Sequence, residues 1–111
     1  MELSEHRHIL YFSEQPIILM EELLKIKNIG FTHIPTGIPE TALTQAQQHY
    51  IALKASPFVE NSGIGFILFG SACDLALPLQ QLCEVKMLLV NPLRHDYFPA
   101  RISVIEASEE E

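Results

Sequence analysis

The stretch that most constrains this chain runs from Ser62 to Asp96. It holds two strongly apolar runs, Ile64–Phe69 and Met87–Val90, joined by a segment long enough to carry a short helix. Strands that read as near-continuous hydrophobics are buried on both faces, which is the habit of a parallel sheet covered by helices. Each run then empties into small and polar residues: Gly70-Ser71-Ala72-Cys73-Asp74 after the first, Asn91 through Asp96 after the second. If the two strands are parallel, both loops open at one sheet edge, where α/β proteins place their ligands. That edge is the first place to look for a site.

The rest of the chain fits the same plan. His8–Phe12 is a short β-prone run. Ser13 and Pro16 then suit a helix start. Over Ile17–Lys27, the residues Ile17, Met20, Leu23, Leu24 and Lys27 recur at helical spacing, with Glu21, Glu22 and Lys25 on the wet side. Ile18, Leu19 and Ile26 widen the apolar face, so this helix is expected to contact more than one neighbour. Asn28 and Gly30 supply its stop. Phe31–Pro35 reads as a second strand. Glu40–Ala55 reads as a second helix, with Leu43, Ala46, Tyr50 and Leu53 on one stripe and Gln45, Gln47, Gln48 and Lys54 opposite. After the strand Ile64–Phe69, Ser71-x-x-Asp74 resembles a capping box, but Pro78 conflicts with a smooth helix from that point. Either the helix kinks there or its regular part begins near Leu77. Val85–Val90 is a fourth strand, 93–100 a loop, and Arg101–Ala107 an edge strand.

The order β-α-β-α-β-α-β-β predicts an α/β fold, a small three-layer sandwich with a mostly parallel four- to five-stranded sheet. One domain over 1–111 is expected, with 106–111 as an acidic, frayed tail. A ferredoxin-like βαββαβ fold with the Gln-rich helix inserted is the alternative. A helical crossover between successive strands favours the parallel arrangement.

Composition narrows the function classes. The chain carries 14 acidic against 7 basic residues, a net charge of −7, and four of those acids are Glu106, Glu109, Glu110 and Glu111. With no Lys/Arg cluster to neutralise phosphates, nucleic-acid binding is not expected. No apolar run approaches the roughly 18 residues of a membrane span, and the polar N-terminus is unlike a secretory signal. A soluble, cytoplasmic protein is expected. Cys73 and Cys83 would lie about 15 Å apart along a helix, too far for a disulfide, and unpaired thiols fit a reducing compartment.

Cys73 is the sharpest catalytic candidate. A thiol in a first helical turn faces free N–H groups and the positive end of the dipole, so its pKa is expected below the roughly 8.5 of a free cysteine. His95, with Asp96, is its candidate partner. The plainer alternative makes Cys73 a small buried hydrophobe. Ser13, Ser71 and Asn91 are ligand-binding candidates at the same edge. Gly63-x-Gly65 precedes its strand instead of following it, so no nucleotide loop and no cofactor is expected. His6-x-His8 lacks a third ligand, and no metal site is expected.

Two resemblances accompany this reading. Residues 9–39 resemble the N-terminal half of the selenium/sulfur carrier-like domains, in Phe12-Ser13, Glu21, Leu24-Lys25 and Ile34-Pro35-Thr36. The resemblance implies thiol-based sulfur carriage, yet it puts Gly63 where the family has its cysteine, unless Cys73 has taken that place. The stretch ILFGSACDLAL followed by KMLLVNPL is similar to the strand–Ser–helix–strand core of α/β-hydrolases. There Phe69 and Cys73 occupy positions that a nucleophile elbow at Ser71 fills with glycine.

Acids and bases at useful spacings are scarce while apolar residues are plentiful. The leading expectation is therefore a binding or regulatory module without its own catalysis, acting as a homodimer or through a protein partner. The alternatives are an acidic, inhibitor-like partner of a basic protein, and thiol-carrier or hydrolase-like chemistry at Cys73.

Overall fold

The computed structural model describes residues 7–57, 59, 63–83 and 85–90, and the backbone of 102–105. Its elements are β1 (His8–Ser13), α1 (Ile18–Ile26), β2 (Gly30–Pro35), α2 (Pro39–Ala55), β3 (Ile64–Phe69), a 3₁₀ turn (Gly70–Leu75), α3 (Ala76–Leu82), β4 (Lys86–Val90) and β5 (Ile102–Ile105). They form one five-stranded sheet in the order β2-β1-β3-β4-β5. Each pair of neighbours is parallel. The α/β expectation holds, and uniform parallel pairing rules out the ferredoxin-like alternative.

The sheet grows from β1 to β2 in one direction and from β1 to β3 in the other. Right-handed crossovers must therefore put α1 on one face and α2 on the other. Side-chain alternation matches. Leu10, Phe12, Ile34, Ile64, Phe66, Leu68, Met87 and Leu89 join Ala42, Ala46 and Tyr50 of α2 and Ala76 and Leu79 of α3 in the main core. Small alanines let α2 lie close to the strands, and Tyr50 meets Phe66 edge-on with ring centroids 6.3 Å apart. The Gln-rich side of α2 faces outward, as its periodicity predicts.

Local rules explain where elements stop. Asn28 ends α1 with φ +60°. Its N–H donates to the Lys25 carbonyl at 3.1 Å, and that of Ile29 donates to Leu24 at 2.9 Å, the paired bonds of a Schellman cap. Gly70 turns the chain out of β3 at φ +57°, where a side chain is strained. Pro78 is accommodated because the α-helix begins at Ala76, which puts the proline in a first turn whose N–H groups have no helical partner.

Three sequence expectations are corrected here. Ser13 does not cap α1, which starts later, at Ile18, and leaves Pro16 ahead of the helix. Ser71 does not cap a helix through its side chain, because the chain tightens at once into the 3₁₀ turn. Glu21 is half-buried and turned inward, since a buried tyrosine reaches it from the sheet.

Candidate functional site

The topology brings the C-terminal ends of β1, β3 and β4 to one edge, with the direction of winding reversing between β2 and β3 around β1. Ser13 closes β1 there, and Ser71 and Cys73 follow β3. A recess of about 230 Å³ lies between the β2–α2 loop and the 3₁₀ turn, lined by Thr36, Pro39, Ser71, Ala72, Asp74 and Leu75. Ser71 and Asp74 are exposed. Among the described residues the lining of the recess offers hydroxyls and one carboxylate, with neither a cationic side chain nor an imidazole. Asn91, His95 and Asp96 lie outside the described residues, as does His6. The proposed Cys73–His95 pairing and the Asn91 site therefore have no geometry here.

Cys73 departs from its expected chemistry. The side chain is only 4% exposed. Its Sγ points at the carbonyl of Leu68 at 3.3 Å and that of Val90 at 3.8 Å. Burial pushes the thiol up to about 11, with the nearby Asp74 charge adding in the same direction. The helix-start argument fails because the 3₁₀ turn tucks Cys73 into the core under β3 and β4, so it faces strand carbonyls and acts as a weak donor. Cys83 is also a buried free thiol, pushed up to about 11 by burial. Burial thus acts alike on the two thiols.

On the opposite face of the sheet stands a cluster that sequence reading did not single out. Parallel register sets Tyr11 beside His33, with ring centroids 4.8 Å apart, and Phe69 meets Tyr11 edge-on at 6.3 Å. The Tyr11 hydroxyl donates to Glu21 and accepts the Ile17 N–H at 3.0 Å. Tyr11 thus supplies the cap that Ser13 does not. Desolvation, then the bond to Glu21, pushes its phenol up to about 12. No local motif marks this group, because the partners meet only once β1 and β2 are paired.

Ser13 and His33 lie within nucleophile–base distance, with Oγ and Nε2 3.2 Å apart, but the bonding is that of a clamp. The Ser13 hydroxyl donates its proton to the Gln15 carbonyl at 2.6 Å. Nε2 of His33 is 3.0 Å from the Ser13 carbonyl, an acceptor only, so Nε2 carries the hydrogen. An imidazole that donates towards serine cannot take its proton. Among the described residues no group of three or more His, Cys, Asp or Glu could hold a metal ion. Nor does any buried side-chain N or O atom there lack a partner.

Among the described residues, half of the exposed large hydrophobic side chains sit on α1. In α1 only Leu24 is buried, while Leu19 is 83% exposed, Ile26 77%, Ile18 60% and Leu23 50%. Leu19, Leu23 and Ile26 recur at i, i+4 and i+7, so they form a stripe on the side of α1 turned away from the sheet. On the same face of the sheet as α1, a shallow groove of about 290 Å³ exposes Ile9, Ile67, Lys86 and Leu88 around Gly65. Among the described residues, no helix is long and apolar enough to cross a membrane. Comparison with protein-family models, with curated proteins and with solved structures gave no match to this chain.

Proposed function

We propose that the protein is a non-catalytic binding module that works by protein–protein contact through the outward face of α1. The observation that carries this reading is the stripe Leu19, Leu23, Ile26, apolar and open on a helix whose other side already packs on the sheet. Scattered exposed leucines are ordinary on a protein surface, but a row at helical spacing is an interface signature. Hydrogen bonding elsewhere agrees. Ser13, His33, Tyr11 and Glu21 bond to one another or to backbone, and Cys73 is aimed into the core, so none stands poised for substrate.

Affinity capture on the immobilised protein tests the reading, comparing wild type with a Leu19→Asp, Ile26→Asp double variant at low and high salt. Both positions are exposed, so the variant keeps its core. A protein bound by wild type through high salt and lost from the variant is the expected result. Capture abolished by salt and equal for both forms would favour contact through acidic surface instead. Capture of nothing, a second copy included, would overturn the proposal.

A further inference from the structure

We infer that the occupant of the α1 face is a second copy of this chain, with the two α1 helices antiparallel across a two-fold axis. This rests on the reading of α1 as the contact surface and names its partner. A two-fold contact requires a surface complementary to itself, so residues at one end must suit those at the other. The stripe meets that requirement: reversal sets Leu19 against Ile26 of the copy and keeps Leu23 near the axis. Charge meets it as well. Of the exposed charges, Glu22 falls in the first half of the helix and Lys25 and Lys27 at its end, while Glu21 is turned inward to Tyr11. Antiparallel alignment lays each acidic half along a basic half and opposes the helix dipoles, whereas parallel alignment would stack like on like.

Net charge is compatible with this contact. The chain as a whole carries −7, so two copies repel at long range. Residues 18–27 hold two acids and two bases and are neutral in sum, with two of the 7 Lys and Arg residues of the chain. A copy therefore meets no net charge on this helix. Two turns of helix cover less than a standard interface, so the association belongs to the weak class.

Sedimentation equilibrium over roughly 1–200 μM, spanning the range where small interfaces associate, is the first measurement. Wild type is expected to pass from monomer to dimer, and Lys25→Glu with Lys27→Glu, which makes each helix wholly acidic, to raise the dissociation constant about tenfold or more. Orientation is read from oxidation of variants with one added cysteine, since the native Cys73 and Cys83 are buried. In the antiparallel pair Leu19→Cys lies about 10 Å along the axis from its own copy, beyond disulfide reach, but opposite Ile26→Cys. Mixing the two variants should give the crossed dimer at several times the yield of either self-linked dimer. If wild type dimerises but Leu19→Cys links preferentially to its own copy, the antiparallel arrangement is overturned. A monomer over the whole range would overturn self-pairing, and the capture comparison would then stand or fall separately as the test of α1 as an interface.

Discussion

Tyr11 is the residue on which the placement of α1 turns. Its buried hydroxyl accepts from the Ile17 N–H and donates to Glu21, tying the start of the helix to the central strand. Tyr11→Phe leaves a half-buried carboxylate and a helix-terminal N–H without that partner, a loss expected to cost about 1–3 kcal/mol. Glu21→Gln keeps an acceptor and should cost less. Urea unfolding of both variants measures the difference. The pH dependence follows from three groups. Tyr11 rises from 10.0 to about 12, and Cys73 and Cys83 from 9.0 to about 11. Each group ionises more readily once unfolded, so the folded state binds more protons over the interval between the two values. Stability from these groups is whole below about pH 9 and falls as pH rises through 11 and 12, by on the order of 2–3 kcal/mol per group. Unfolding free energy measured from pH 8 upwards, against Tyr11→Phe as control, should show that decline, and a flat profile would refute the burial assigned to these side chains. Both thiols should also resist alkylation at neutral pH until the protein opens, with neither reacting ahead of the other. Rapid labelling of Cys73 alone would restore it as a reactive site.

At the scale of elements, two left-handed positions carry separable weight. Gly70→Ala forces a side chain to φ +57° and Asn28→Ala to φ +60°. Each is expected to lower stability by about 1 kcal/mol with the urea m-value unchanged, whereas Asn28→Gly should be neutral or slightly stabilising. The strands were legible in sequence because runs such as Ile64–Phe69 are apolar on both faces, although the α1 face of β3 is only half-buried. Helix ends were less legible. Ser13 has the chemistry of a cap, but a hydroxyl two residues from a carbonyl can close a local turn equally well, and that is what it does with Gln15. The Cys73 expectation failed for a related reason. A capping-box pattern does not reveal whether the chain enters an α-helix or a tighter turn, and the 3₁₀ turn rotated the thiol inward. The Tyr11–His33–Glu21 cluster needed strand pairing that no local pattern contains. In contrast, the excess apolar width of α1 was visible in Ile18, Leu19 and Ile26. It was the ground for expecting more than one neighbour, and Leu19, Leu23 and Ile26 are left open.

Across the whole molecule, two surfaces compete for function. The C-terminal edge of the sheet has the position favoured by ligand sites in α/β proteins, but Ser13 and His33 there are held by protein partners, and the described lining of its recess offers only hydroxyls and one carboxylate. The α1 face has open apolar area and local charge neutrality in an acidic chain. A dilution series of amide chemical shifts in the wild-type protein separates them in one experiment. If α1 is the contact surface and a second copy its occupant, the amides of 18–27 shift with concentration while those of 36–38 and 70–75 stay fixed. Shifts confined to 36–38 and 70–75 would contradict the assignment of contact to α1, and none anywhere across the micromolar range would contradict self-pairing.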